Sequence, residues 1–337
     1  MQLFLKTKII FFVEKLYFCG TITNEEVWFR HMSLSEKIRC RAYELGFDLC
    51  GVAACRPLTE RCDDFQRWLD SGYDGGLEYL KRNVQKRFDP SLLFEQARSV
   101  IVCGVSYNRL PSVGEVSSRI ATYAHTVDYH ITIKQQLFRL FDYLKELDPQ
   151  ASGRVFTDTA PISEKSWAVE AGLGWIGRHS LLVHPRLGSF LLLGEIVTTV
   201  QLDPDETKMR DGCGNCRRCV EACPAQAILA DRKIDAGKCI ARRTIERENG
   251  EETEGNLHGW VFGCDVCQRV CPYNSKAPIL DHEQFRPIPE LEQLDAVSWL
   301  ALDDSDFDRL FGKTPLARCG LRRLQDRIRK MVNKDSK

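Results

Sequence analysis

The sequence predicts two unlike parts, an α/β (α+β) region and then a smaller domain organised by metal-bound cysteines. Three observations carry this. Short apolar runs alternate with amphipathic helical patterns from about residue 32 to 205. The polar stretch Asp203 to Asp211 then reads as a bridge. Beyond it, cysteines recur as Cys213-x2-Cys216-x2-Cys219-x3-Cys223-Pro224 and as Cys264-x2-Cys267-x3-Cys271-Pro272, with Cys239 upstream.

The elements follow in order. Residues 1–31 read as an extension: Ile9 to Val13 is apolar, but Glu14 and Lys15 interrupt it, so it is too short to span a membrane. Met32-Ser-Leu-Ser-Glu36 looks like a natural beginning, with Ser33 or Ser35 capping a helix through Ile38, Ala42 and Leu45 that ends near Gly46. Phe47 to Ala53 predicts a strand, Phe65 to Leu69 a helix, and Ser71 to Gly76 a turn. Ser99 to Tyr107 has the continuous apolar pattern of a buried strand. Tyr129 to Leu147 is helical, closed by Pro149 to Gly153. Arg154 to Asp158 and Phe190 to Val200 predict strands, with a helix from Ile162 to Ala171 between them. The domain reading is therefore 1–31 extension, 32–205 α/β region, 206–285 cysteine domain, and 286–337 short helices with a basic end.

A four-iron cubane needs four thiolates. In two-cluster ferredoxin-like folds three come from a tight loop, and the cysteine before proline reaches the other cluster. That rule assigns Cys213, Cys216, Cys219 and Cys271 to cluster one, and Cys223, Cys239, Cys264 and Cys267 to cluster two. The Glu-, Arg- and Gly-rich insert between Cys239 and Cys264 reads as a helix end plus an exposed loop. Structural zinc is the competing account, but it requires neither the third close cysteine nor the repeated Cys-Pro ending. Disulfides fit less well, because the cysteines sit at metal-ligand intervals and no secretory signal precedes them.

Of the 15 cysteines, seven lie outside these sets, which suits a reducing cytoplasm. No later segment looks transmembrane. The formal net charge is zero, so there is no global signal for nucleic acid, yet Leu310 to Lys337 carries nine Lys and Arg against two Asp. That segment is either a phosphate-binding footprint or an amphipathic helix with a solvated basic face.

A two-cluster module fused to an α/β region this large is expected to wire a second redox centre, whether flavin, corrinoid or metal. Gly172, Gly174 and Gly177 satisfy dinucleotide-site spacing, but they follow a helix rather than a strand. They read either as a flexible wall beside a large flat ligand or as a plain helix-ending turn. Asp128-Tyr-His130 starts like a corrinoid Asp-x-His-x-x-Gly signature, but Ile133 stands at the glycine position.

The chain resembles the epoxyqueuosine reductase family of cobalamin-dependent iron–sulfur enzymes. The resemblance rests on Tyr123-Ala124, Val127-Asp-Tyr-His130, Phe156-Thr-Asp-Thr-Ala-Pro-Ile162 with Glu164-Lys165, and Ala171-Gly-Leu-Gly-Trp-Ile-Gly-Arg-His-Ser180. Gly188-Ser-Phe190, Gly194-Glu195, the cysteine pattern and Phe311 to Arg318 continue it, over roughly Ser33 to Leu324. It implies a core like that of reductive dehalogenases and nitroreductases, fused to a bacterial two-[4Fe-4S] ferredoxin-like domain. The implied reaction is reduction of epoxyqueuosine to queuosine at the tRNA wobble position, by cob(I)alamin recharged through the clusters. The helical-repeat domain that many relatives carry at the C-terminus is not expected here.

The resemblance makes Asp128 the proton donor, assisted by His130 or Cys103. The residues alone read Asp128 as a helix cap and Cys103 as core. Burial beside a corrin is expected to raise the Asp128 pKa. Tentative cobalamin contacts are Asp158, Lys165, Gly172, Gly174, Trp175, Gly177, Arg178, His179 and Ser180. Asp158 reads equally well as a turn former. Tentative tRNA contacts are Arg322, Arg323, Arg327, Arg329 and Lys330. The expected partners are tRNA and an external donor of flavodoxin or ferredoxin type, with the protein a cytoplasmic monomer. The alternatives are a corrinoid reductase of organohalides and a non-enzymatic electron carrier.

Overall fold

The computed structural model describes residues 31–205, 209–229, 232–246 and 255–335. The extension read at 1–31 therefore lies outside the described residues except for His31, as do parts of the bridge and of the insert before Cys264. Ser33, not Ser35, caps the first helix, α1 (Leu34–Glu44). Its hydroxyl accepts from the Glu36 amide while the Glu36 carboxylate accepts from the Ser33 amide, closing a reciprocal capping box. Ser35 is instead buried.

The predicted strands assemble into one four-stranded sheet ordered β1 (Leu49–Ala54), β2 (Ser99–Ser106), β6 (Leu191–Thr198), β3 (Gly153–Phe156). Every pairing is antiparallel, which settles the fold as α+β. Side chains alternate between the faces of a strand, and here both faces are covered. Ile101, Cys103 and Val105 of β2 pack with Leu137, Leu140 and Leu144 of the helix α3 (Tyr129–Leu147). Val100 and Val102 point the other way, toward Trp167 and Ala168 of α4 (Glu164–Glu170). That double burial explains why the strand reads as a continuous apolar run. The helix expected over 65–69 is longer, α2 (Thr59–Asp70).

The C-terminal helices are not an appended tail. Trp299 stacks on Phe311 at 4.8 Å, and both share a third core with Val116, Ile120, Val261 and Phe262. The middle segment 116–124 thus lies between the sheet domain and the C-terminal helices, and it also grips the cysteine domain. Thr122 donates to buried Asp265 through its amide at 2.8 Å and its hydroxyl at 2.6 Å, and the Ala121 amide donates to the Phe262 carbonyl. Asp265 stands between Cys264 and Cys267, so the sheet domain and the cysteine domain are in direct contact, as the sequence predicts. A second junction joins the Trp68 indole to the Ile234 carbonyl, with Gly75 and Gly237 packed backbone to backbone. Gly75 has φ +63, so a side chain there would meet both steric and conformational strain.

The last helix, α5 (Leu321–Asp335), corrects the expectation for Arg327. This side chain is 4% exposed and donates to the Thr244 and Val261 carbonyls at 2.8 and 3.0 Å. It lies on the face of Leu324, Ile328 and Met331, so it clamps the core and is closed to a phosphate. Arg327→Ala is expected to cost about 3 kcal/mol of stability by orphaning two buried carbonyls. Exposed Arg322→Ala is expected to cost under about 0.5 kcal/mol. Denaturant unfolding of both variants checks the contrast, and equal midpoints would refute it.

Candidate active site

The eight cysteines lie near one another, and their mutual electrostatic influence runs mainly within the sets that the spacing predicts. Cys219 sits in the electrostatic field of Cys213 and Cys271, and Cys271 in that of Cys213 and Cys216. Cys264 is coupled in the same way to Cys239 and Cys223, and Cys267 to Cys264 and Cys239. Four thiols in each set are the donor complement that a four-iron cluster takes.

Between the second cysteine set and the sheet lies a cavity of about 1310 Å³. This exceeds the roughly 300–1,000 Å³ of most small-molecule pockets. Leu191, Leu192, Leu193, Ile162 and Ile176 give it apolar walls, while Lys165, Ser180 and His179 supply polar groups. Cys223, Cys239, Cys264 and Cys267 line it as well, so the second cage opens onto it. Lys165 donates to the Ser180 carbonyl at 2.8 Å. Burial keeps His179 neutral, with its pKa pushed down to about 4 and Lys165 nearby adding to the effect. A wide ligand with an apolar body and a polar rim suits these walls.

On the sheet side the cavity meets an ordered chain of titratable groups. Asp128 caps α3, accepting from the His130 amide at 3.0 Å and contacting the ring Nδ1 of His130 at 2.6 Å. The other ring nitrogen lies 3.0 Å from Asp158, which also accepts from the Tyr129 hydroxyl at 3.1 Å. Tyr129 and Asp158 face the cavity. Asp158 and Ser180 both hold left-handed backbone, with φ of 52 and 62. For non-glycine residues this conformation carries strain and is commoner at working sites. The Asp158 amide donates to the Glu164 carboxylate at 2.6 Å, which secures that turn.

These contacts reverse the expected electrostatics of Asp128. Burial pushes its carboxyl up, but the hydrogen bonds and charge of His130 outweigh burial and bring it below the ordinary range. For His130, burial opposes the charged ring, but bonds to Asp128 and Asp158 lift it to about 9. At neutral pH the proton therefore sits on His130, between two carboxylates.

Several predicted contacts have other occupations. Gly172 ends α4 with φ +71. Gly174 and Gly177 pack against Val183 in a small hairpin, β4 (Trp175–Ile176) with β5 (Leu182–Val183). The glycines thus allow a tight turn, and the flexible-wall reading is corrected. Trp175 packs edge-on against Tyr273 at 5.0 Å, and Arg178 donates to the Gly214 carbonyl at 2.7 Å, so both brace the first cage. Cys103 is fully buried in the sheet core beside Cys50, which corrects its assisting role. Asp158, Lys165, His179 and Ser180 do line the cavity. Of the basic residues, Arg322, Arg329 and Lys330 are exposed, Arg329 in a 2.7 Å pair with Asp326, while Arg323 is partly buried and donates to the Cys319 carbonyl. Sequence reasoning missed Glu164 and Arg318 as cavity residues. Both belong to the quoted motifs, but only the folded chain brings them to one space.

Residues 87–159 match the family model described as "Epoxyqueuosine reductase QueG, DUF1730", and residues 212–274 match "4Fe-4S double cluster binding domain". The second match spans all eight cluster cysteines. An epoxyqueuosine reductase of Cyclobacterium marinum is 38% identical over 90% of this chain and 100% of its own length. The solved epoxyqueuosine reductase of Streptococcus thermophilus is 25% identical with a TM-score of 0.78, covering 89% of this chain and 81% of that one. A further epoxyqueuosine reductase, solved with an epoxyqueuosine-modified tRNA stem loop, is 24% identical with a TM-score of 0.81, over 89% and 80% of the two chains.

Because the folded-state pKa of His130 stands above its ordinary 6.5, the stability its ion pairs contribute is complete below about 6.5 and lost as pH rises through about 9. NMR titration of the ring is expected to give a midpoint near 9, moved down in Asp128→Asn. A wild-type midpoint near 6.5 would show that the bridge does not form.

Proposed function

The chain belongs to the epoxyqueuosine reductase family, and on that premise we propose that the cavity between the sheet and the second cysteine set receives the modified base of a tRNA. The reaction is reduction of epoxyqueuosine to queuosine, with cobalamin and two four-iron clusters as cofactors. The observation that carries the site is that one cavity is bordered by the Asp158 network on one side and by Cys223, Cys239, Cys264 and Cys267 on the other. Bound cobalamin supplies the two-electron reducing centre, and the clusters supply electrons singly.

The residues have separable tasks. Leu191, Leu192 and Leu193 give the cavity an apolar wall, while Lys165, His179 and the Ser180 backbone are placed to hold the polar rim of a corrinoid. Loss of the epoxide oxygen as water consumes two electrons and two protons. Asp128 acts as the acid by passing on the proton it shares with His130, and Asp158 holds the far side of that ring. The Asp128 amide donates to the Lys313 carbonyl at 2.8 Å, so the segment 312–318 positions the acid, and Arg318 from the same segment lines the cavity.

A looped anticodon stem suits such a cavity, because an unpaired base enters without melting a duplex. Arg322, Lys330 and Arg318 are exposed cations suited to flanking phosphates. No described helix is long and apolar enough to cross a membrane. The reading includes a cytoplasmic monomer and a flavodoxin- or ferredoxin-type donor.

Anaerobic conversion of epoxyqueuosine-tRNA with cobalamin and a reductant, read by nucleoside mass analysis, tests the function, and no conversion would overturn it. Asp128→Asn is expected to keep both cofactors and tRNA affinity but lose about 100-fold or more in turnover. Full turnover across pH would remove Asp128 from the acid role.

The double variant Arg322→Gln/Lys330→Gln is expected to weaken tRNA binding and to flatten its log–log salt dependence by about 1.5, leaving cobalamin binding unchanged. Equal affinity over a salt series would assign these residues to a solvated surface.

A further inference from the structure

The two cysteine motifs differ at one matching position. Each opens on a Cys-x2-Cys pair, and the residue after the first cysteine is Gly214 in one and Asp265 in the other. Gly214 is exposed, with φ +46, and its carbonyl accepts from Arg178 at 2.7 Å. Arg217 and Arg218, in the same loop, are exposed as well. Asp265 is 1% exposed and lines the cavity that its own cysteine set borders. The first motif thus carries cations at the surface, and the second carries a buried acid beside the cavity.

The junction with the sheet domain does not by itself call for a charge here. Thr122 donates to Asp265 through its amide and its hydroxyl, and the side-chain oxygen of an asparagine could accept both bonds at a lower desolvation cost. Nor is the charge cancelled in place. Arg269 donates to the Thr122 hydroxyl at 3.1 Å and comes only to 3.4 Å of the Asp265 carboxylate. Its side chain is 26% exposed, against 2% for Asp265. Water screens the guanidinium more than the carboxylate, so the charge left inside the protein is negative.

We propose that Asp265 sets the working potential of the second cluster and holds it below that of the first, with Arg269 as a partial counterweight. A cluster gains a negative charge on reduction, and its potential follows the net charge and solvent exposure around it. A buried carboxylate between two ligands therefore disfavours the reduced form, whereas surface cations favour it. The inference rests on the epoxyqueuosine reductase reading, in which both clusters are resident cofactors. A lower potential makes the second cluster, once reduced, a stronger donor to a corrinoid in the cavity. In each transfer that cluster loses one electron and the corrinoid gains one. An external one-electron carrier of flavodoxin or ferredoxin type restores it.

The test is an anaerobic redox titration of the cluster-loaded full chain, read by electron paramagnetic resonance without tRNA. Wild type is expected to show two midpoints, the lower one belonging to the signal that Cys239→Ser removes or alters. Asp265→Asn keeps an oxygen for Thr122. It is expected to move the equilibrium of that cluster about tenfold toward the reduced form, about 59 mV upward for one electron, and to leave the other midpoint in place. Arg269→Gln is expected to move the same midpoint downward, and it serves if Asp265→Asn takes up no second cluster. A purely structural role would not drive these two variants in opposite directions. The proposal is overturned by a second-cluster midpoint that neither variant moves, by a shift shared by both clusters, or by the higher midpoint lying on the Cys239-linked signal. Failure to convert epoxyqueuosine-tRNA would remove the substrate reading alone, whereas a wild type without a second cluster would remove both.

Discussion

The arrangement depends on one buried carboxylate. Asp265 stands between two ligands of the second cage and accepts both the amide and the hydroxyl of Thr122, with Arg269 closing the group at 3.4 Å. A carboxylate taken out of water must have its lone pairs satisfied, and here the partners come from the sheet domain. The chain therefore cannot place the cage without also placing residues 119–125. Asp128 follows three residues further on, so a short run of backbone links the second cysteine set to Asp128.

The second organising feature is the distribution of charge around the cavity. His130 is held cationic between Asp128 and Asp158, while Glu164 and Glu195 are held neutral by burial. Groups of the same kind are thus driven to opposite protonation states by their settings. Asp128 and Asp158 each reach a cation, whereas the Glu195 oxygens have no hydrogen-bond partner among the described residues.

The C-terminal helices take part in the same device. Trp299, Phe311 and Arg327 build a core that presents the Lys313 carbonyl to Asp128 and Arg318 to the cavity. This region shares its core with residues 116–124, so its basic character is partly structural. Arg327 illustrates the point: it spends its guanidinium on two buried carbonyls. The helical period of Leu324, Ile328 and Met331 carries that information, because it sets Arg327 on the buried face.

The sequence by itself determined the strands of the four-stranded sheet, the long helix from Tyr129 to Leu147 and the cysteine spacing of a two-cluster domain. Each depends on local chemistry: a period of two or 3.6, a cap, or a ligand spacing that only a cluster uses. Tertiary structure alone decided that the sheet is antiparallel, since apolar runs do not encode strand direction. It also decided the use of the glycines after α4, which turn a hairpin against Val183. The protonation of the site was likewise invisible, because Asp128 and His130 meet Asp158 only in the folded chain. A pKa depends on the nearest charges and on the depth of burial, and chain order records neither.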